Sequence, residues 1–179
     1  GLKTLDDLFA PANKGRIEVL SEMRDTIGLI MLWQGVDISK PFTDAQFQKA
    51  VDFIQKKIKD GYIRQVKGQS YAEDLISGDA VAVIGWSGDI KQAASRAEEK
   101  SKTQKDPKKK VEVGYIIPKE GAGTFYDNLT IPKDAKNIDE AYAFIDYLLR
   151  PEVIAKASNA ISYANGNIDS QAFIDKAIL

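Results

Sequence analysis

Residues Ala80–Trp86 (AVAVIGW) run apolar from end to end, without the polar alternation of a half-exposed strand. A strand of that kind must be covered on both faces, which is the condition of a parallel sheet held between helices. Further strands are expected at Arg16–Leu20, Tyr62–Val66, Val111–Ile117 and Asn128–Ile131, with Ile161–Tyr163 extended. Helical patterns fall between them. Thr4 caps a short helix to Phe9, Ser21 reads as the cap of a helix to about Gln34, and Thr43-Asp44 opens a long amphipathic helix that Asp60-Gly61 stops. Ser70–Ser77, Ile90–Lys100 and Ile138–Arg150 read as helices, and Pro151 opens another from Glu152 to about Asn159. Ser101–Lys110 (SKTQKDPKKK) reads as an exposed basic loop. Alternation of this kind predicts an α/β fold, helices covering a mostly parallel sheet.

The residue inventory removes much chemistry. There is no histidine and no cysteine, so the commonest general base, the commonest zinc ligand, thiolate sites and disulfides are all excluded. Basic and acidic residues nearly balance, 25 against 26, and nothing global steers the chain toward nucleic acid or an anionic membrane. No Ser/His/Asp set, phosphate-binding loop or metal cluster is present, and no cofactor is expected.

What remains is a repeated pairing of an aromatic with a carboxylate. Gly85-Trp86-Ser87-Gly88-Asp89 and Gly123-Thr124-Phe125-Tyr126-Asp127 each follow an apolar stretch with an aromatic and then an aspartate. A ring beside a carboxylate suits an alkyl-ammonium ligand, the ring taking the methylenes and the carboxylate the charged nitrogen. Two such pairs suit a cation charged at both ends. Each residue also has a structural alternative. Trp86 at the end of a buried strand suits a core, Asp89 suits a cap for the helix beginning at Ile90, and Asp25 suits the positive end of its own helix.

The order of LFAPANKGRIEVL, SEMRD, ISGDAVAVIGWSGDIKQAASRAEE, VGYIIPKEGAGTFYDNLTIPKDAKN, DEAYAFIDYLLRPEV and ISYANGN, from Leu8 to Asn167, resembles the polyamine-binding proteins of bacterial ABC importers. These belong to the type II class of periplasmic binding proteins. The resemblance implies two lobes with ligand held between them, and no enzymatic activity. It implies a linear di- or polyamine as ligand, a membrane permease as partner, no nucleic acid, and a periplasmic or extracellular, lipid-anchored or free location. On this likeness Asp25 falls on a pocket carboxylate, and Trp86, Asp89, Phe125, Asp127 and Tyr163 fall on ligand-wall positions. The form Trp-Ser-Gly-Asp resembles putrescine-preferring members, while Glu22 matches a carboxylate position of spermidine binders. Gln69 falls where serine is frequent.

The same likeness places 1–127 in the second, ligand-binding lobe and 128–179 in a segment returning to the first. Most of the first lobe is expected to lie outside the chain, which reads as a piece of a longer protein. The segment Asn128–Tyr163, with the apolar helix face of Ala141, Phe144, Ile145 and Leu148, is then expected to find that first lobe or a second copy. Tyr163 also suits a core position, and Tyr115, Tyr142 and Tyr147 suit packing. The competing readings are a carboxylate-based hydrolase such as a glycosidase, whose paired acids sit here beside aromatics in a pattern that the importer resemblance already explains, and a binding protein for another small solute.

Overall fold

Every side chain of Ile17–Leu20 (β1) is buried, Glu18 among them. Such burial requires neighbours on both edges and both faces, and β1 has them. In the computed structural model, which describes residues 2–178, it runs parallel to Ile63–Lys67 (β2) on one side and to Ala82–Val83 (β3) on the other. Register is set by Ile17 opposite Ile63 and Ala82, and by Glu18 opposite Gln65 and Val83. Arg64 is the extra residue of a bulge in β2.

Leu5–Leu8 (α1) precedes the sheet, Met23–Trp33 (α2) and Asp44–Lys59 (α3) cross from β1 to β2, Tyr71–Ser77 (α4) crosses from β2 to β3, and Ser87–Thr103 (α5) follows β3. Thr4 and Thr43 each close a capping box with the acid or amide three residues on, Asp7 and Gln46, which fixes where α1 and α3 begin. Ile30, Met31, Ala50, Ile54, Tyr71, Leu75 and Ile90 pack with β1 in one core. At its margin Phe53 meets Phe9 edge to face and Trp33 at a tilt, and the Lys57 ammonium lies 4.2 Å from the Tyr62 ring centre.

The chain forms two units, Gly1–Thr124 and Phe125–Leu179. The second contains Ile138–Leu148 (α6), Pro151–Ile161 (α7) and a 3₁₀ turn over Ile168–Phe173. Asn165 Nδ2 donates to the buried Ser158 hydroxyl and Asn167 Nδ2 to the Leu149 carbonyl, tying the turn to α7 and to the end of α6. No described residue of α6 is buried, and Tyr142, Phe144 and Tyr147 are exposed.

Several expected elements differ. The apolar run Ala80–Trp86 supplies only the short strand β3 and leaves Val81 exposed, because β3 is an edge of the sheet; β1 is the strand covered on both faces. Val111–Ile117 and Asn128–Ile131 form no strand, since neither finds a ladder partner among the described residues. α2 begins after Glu22 rather than Ser21, whose N–H still donates to Lys67 O in the β1–β2 ladder. Helix α5 begins at Ser87, not Ile90, and runs to Thr103, where the Lys102–Glu98 pair supports its last turn. Part of the expected basic loop is therefore helix, and Pro107–Lys109 adds a 3₁₀ turn capped by Asp106. Ile161–Tyr163 is not extended: Ile161 ends α7 and Ser162 takes a left-handed conformation, φ 60°.

Candidate functional site

The chain leaves β1 to build β2 on one side, then crosses over β1 to build β3 on the other. The two connections therefore lead to opposite edges of the sheet and leave the carboxyl ends of β1 and β3 side by side. In open parallel sheets that divergence opens a crevice where ligands bind. α2 starts two residues beyond the end of β1, and α5 starts beyond β3, so both helices present their N-termini there.

Asp25 and Asp89 occupy the same place in these helices. Each is the third residue, one turn in from the caps Glu22 and Trp86. Main-chain N–H groups at a helix start favour an adjacent carboxylate by about 0.3–1 kcal/mol. The structural alternative for Asp25 thus holds, and so does its approach to Trp86, because the indole Nε1–H donates to Asp25 Oδ2 at 3.0 Å. Among the described residues no Lys or Arg nitrogen comes within ion-pair distance of Asp25. Asp89 accepts at Oδ2 from the Tyr71 hydroxyl at 2.9 Å, and that hydroxyl accepts from the Trp86 main-chain N–H at 3.0 Å. The Tyr71 and Trp86 rings meet edge to face, centres 6.2 Å apart.

The half-buried Trp86 is thereby tied to both carboxylates, to Asp25 by its indole N–H and to Asp89 through the Tyr71 hydroxyl that accepts from its main-chain N–H. Such a constellation offers negative charge and an aromatic face together, the combination that receives an alkyl-ammonium group. Glu22 is exposed and makes no side-chain cap bond, and Gln69 is exposed in the bend between β2 and α4. In the second unit the Phe125 and Tyr163 rings lie edge to face at 6.3 Å, with Phe125 and Asp127 exposed and Tyr163 half-buried.

Tyr71 is the site residue that sequence reasoning passed over; its position as the first residue of a helix directly after a strand was the available signal. Gly85 belongs with it. A Cβ there would sit 2.8 Å from Tyr71 Cε2 and 3.2 Å from Cζ, so only glycine lets the ring lie against this strand end. Behind the site, buried Glu18 accepts from Arg64 Nη1 at 2.7 Å, with Lys67 at 3.9 Å; Lys67 pairs in turn with Asp74 on α4. Glu18 Oε2 is buried without a hydrogen-bond partner.

A family model described as bacterial extracellular solute-binding protein matches residues 1–178. A putrescine-binding periplasmic protein of Pseudomonas aeruginosa is 41% identical over 78% of this chain and 36% of its own length. One of Escherichia coli is 38% identical over 84% of this chain and 38% of its own. Among solved structures, a protein of Listeria monocytogenes assigned as a spermidine/putrescine ABC transporter superposes with a TM-score of 0.81 at 27% identity, over 98% of this chain and 49% of its own. The spermidine/putrescine ABC transporter substrate-binding protein of Streptococcus pneumoniae gives 0.72 at 23% identity, over 99% of this chain and 50% of its own. These neighbours are type II periplasmic binding proteins, and the parallel sheet flanked by helices is theirs. The chain spans little more than a third of the length of those two curated relatives and about half that of the solved neighbours.

Proposed function

This chain belongs to the bacterial extracellular solute-binding proteins, and on that premise we propose that it carries the ligand-gripping carboxylates of a polyamine-binding protein, putrescine favoured and spermidine next. The observation that supports this is the Asp25–Trp86–Asp89 constellation at the strand ends where the sheet's connections diverge. The named relatives point the same way, since the putrescine-binding proteins are the more identical among them.

In this reading the complete, exported protein binds without chemistry and delivers its ligand to an ABC permease. Residues 1–127 form its second lobe, and 128–179 return to the first. Asp89 pairs with one ammonium group while the Trp86 indole, steadied by Asp25, covers the methylenes. Phe125, Asp127, Tyr163, Glu22 and Gln69 join the pocket on the family resemblance. An aromatic face adds about 0.5–2 kcal/mol per ammonium contact. A charge-assisted hydrogen bond adds about 1.5–3 kcal/mol.

Calorimetric titration of the complete protein with putrescine and spermidine tests the reading. Saturable 1:1 binding is expected, and Asp89→Asn or Asp127→Asn should weaken it roughly ten- to a hundredfold. Absence of binding by either amine refutes the function. An unchanged affinity removes the substituted residue from the site.

A further inference from the structure

The geometry points to Tyr71 as a positioning residue of this site: its hydroxyl sets the Asp89 carboxylate and the Trp86 main chain relative to each other. The inference rests on Asp89 and Trp86 being ligand contacts, as proposed above. A phenol carries one O–H to donate and lone pairs to accept. Tyr71 uses the donor on Asp89 Oδ2 and an acceptor position on the Trp86 N–H. Trp86 caps α5 without any side-chain capping bond of its own, so this hydroxyl anchors the chain where strand becomes helix.

Tyr71 is well placed to impose a position rather than adopt one. It is 1% exposed, and its ring fills the space a side chain at Gly85 would take. Asp74, one helical turn along α4, pairs with Lys67 of β2 and lies 3.5 Å from Arg64, which itself binds Glu18 of β1. A chain of charged contacts thus ties α4 to the sheet from which the helix starts of Asp25 and Trp86 rise. Asp side chains rotate broadly about χ2, and a fixed phenol donor selects one orientation before any ligand arrives. Preorganisation of this sort appears as affinity.

A double-mutant cycle in the complete protein separates positioning from general support. Tyr71→Phe should weaken putrescine binding roughly three- to tenfold, through lost preorganisation of the Asp89 carboxylate. In an Asp89→Ala background the same change should weaken binding clearly less, because the side chain it positions is gone and only its hold on the Trp86 main chain remains. Equal weakening in both backgrounds overturns the inference. Exchange of the Trp86 main-chain amide in ligand-free protein is the second readout. It should accelerate in Tyr71→Phe, and an unaltered rate also overturns the inference. Gly85→Ala displaces the ring from the opposite side and should reproduce both results if Tyr71→Phe does not fold. If wild-type protein binds no amine, the functional reading fails by itself, and the amide rate still decides whether Tyr71 holds this strand end.

Discussion

Arg64 and Glu18 should respond very unequally to substitution. Glu18 is wholly buried, 0% exposed, whereas the Arg64 side chain keeps 31% of its surface in solvent. Arg64→Met strands a carboxylate in the core with only Lys67, 3.9 Å away, to answer it. Orphaning a buried charge costs about 3–5 kcal/mol, and the residual attraction of Lys67 lowers that to about 2–4 kcal/mol here. Glu18→Leu leaves Arg64 and Lys67 beside Asp74 with a route to water, and it removes the unpartnered Oε2. Its cost should be about 1 kcal/mol or less. The double variant should lie within about 1 kcal/mol of wild type, giving a coupling of about 2 kcal/mol. Urea unfolding of the four proteins measures this, provided the m-values agree. Equal costs for the two single changes, or a double variant equal to their sum, would refute the reasoning.

Gly85→Ala should cost about 1–3 kcal/mol through overpacking, because the ring its Cβ meets is pinned at the hydroxyl. For a chain of this length that lowers Tm by roughly 2–12 °C, and an unchanged Tm would show the ring free to retreat. The hydrogen bond from Arg96, then its charge, holds the Glu73 carboxyl below its ordinary 4.5. A lowered folded value means the α4–α5 link is fully formed at neutral pH and lost only as pH falls below 4.5 and through the folded value. Glu73→Gln should flatten that part of an acid-unfolding profile, and an identical profile would discard the pair as a contributor. The 179-residue chain by itself should bind putrescine far more weakly than the complete protein, since carboxylates facing open water act at high dielectric. Comparable affinity in calorimetry would show the pocket to be misplaced.

The helices were legible where local chemistry decides them: Thr4 and Thr43 carry their own capping boxes, and Pro151 opens α7. Strands were less so, because a strand exists only against a neighbour. Val111–Ile117 has the composition but no ladder, while Ile17–Leu20 contains an acid and is still the most enclosed strand. A buried Glu18 makes sense only once Arg64, 46 positions on, is seen opposite it. The same holds at the site. Trp86, Asp89 and Asp25 stood out as residue types, but the indole bond to Asp25 spans 61 positions and the phenol bond to Asp89 spans 18. Side-chain partners set by three-dimensional packing leave no local trace, which is why Tyr71 passed for an ordinary helix residue.

Because Asp25 and Asp89 each sit one turn into a helix that springs from adjacent strands, their separation is a property of the hydrogen-bond ladder rather than of flexible side chains. A ladder shifts only in whole-residue steps of about 3.3 Å, and a one-residue slip would send every β1 side chain to the opposite face, Glu18 away from Arg64 among them. The distance between these two charges is therefore a stiff ruler. Selection or design can regrade it only at its tips, by lengthening an aspartate to a glutamate or shortening it to a neutral group, while the scaffold that holds the scale stays unchanged.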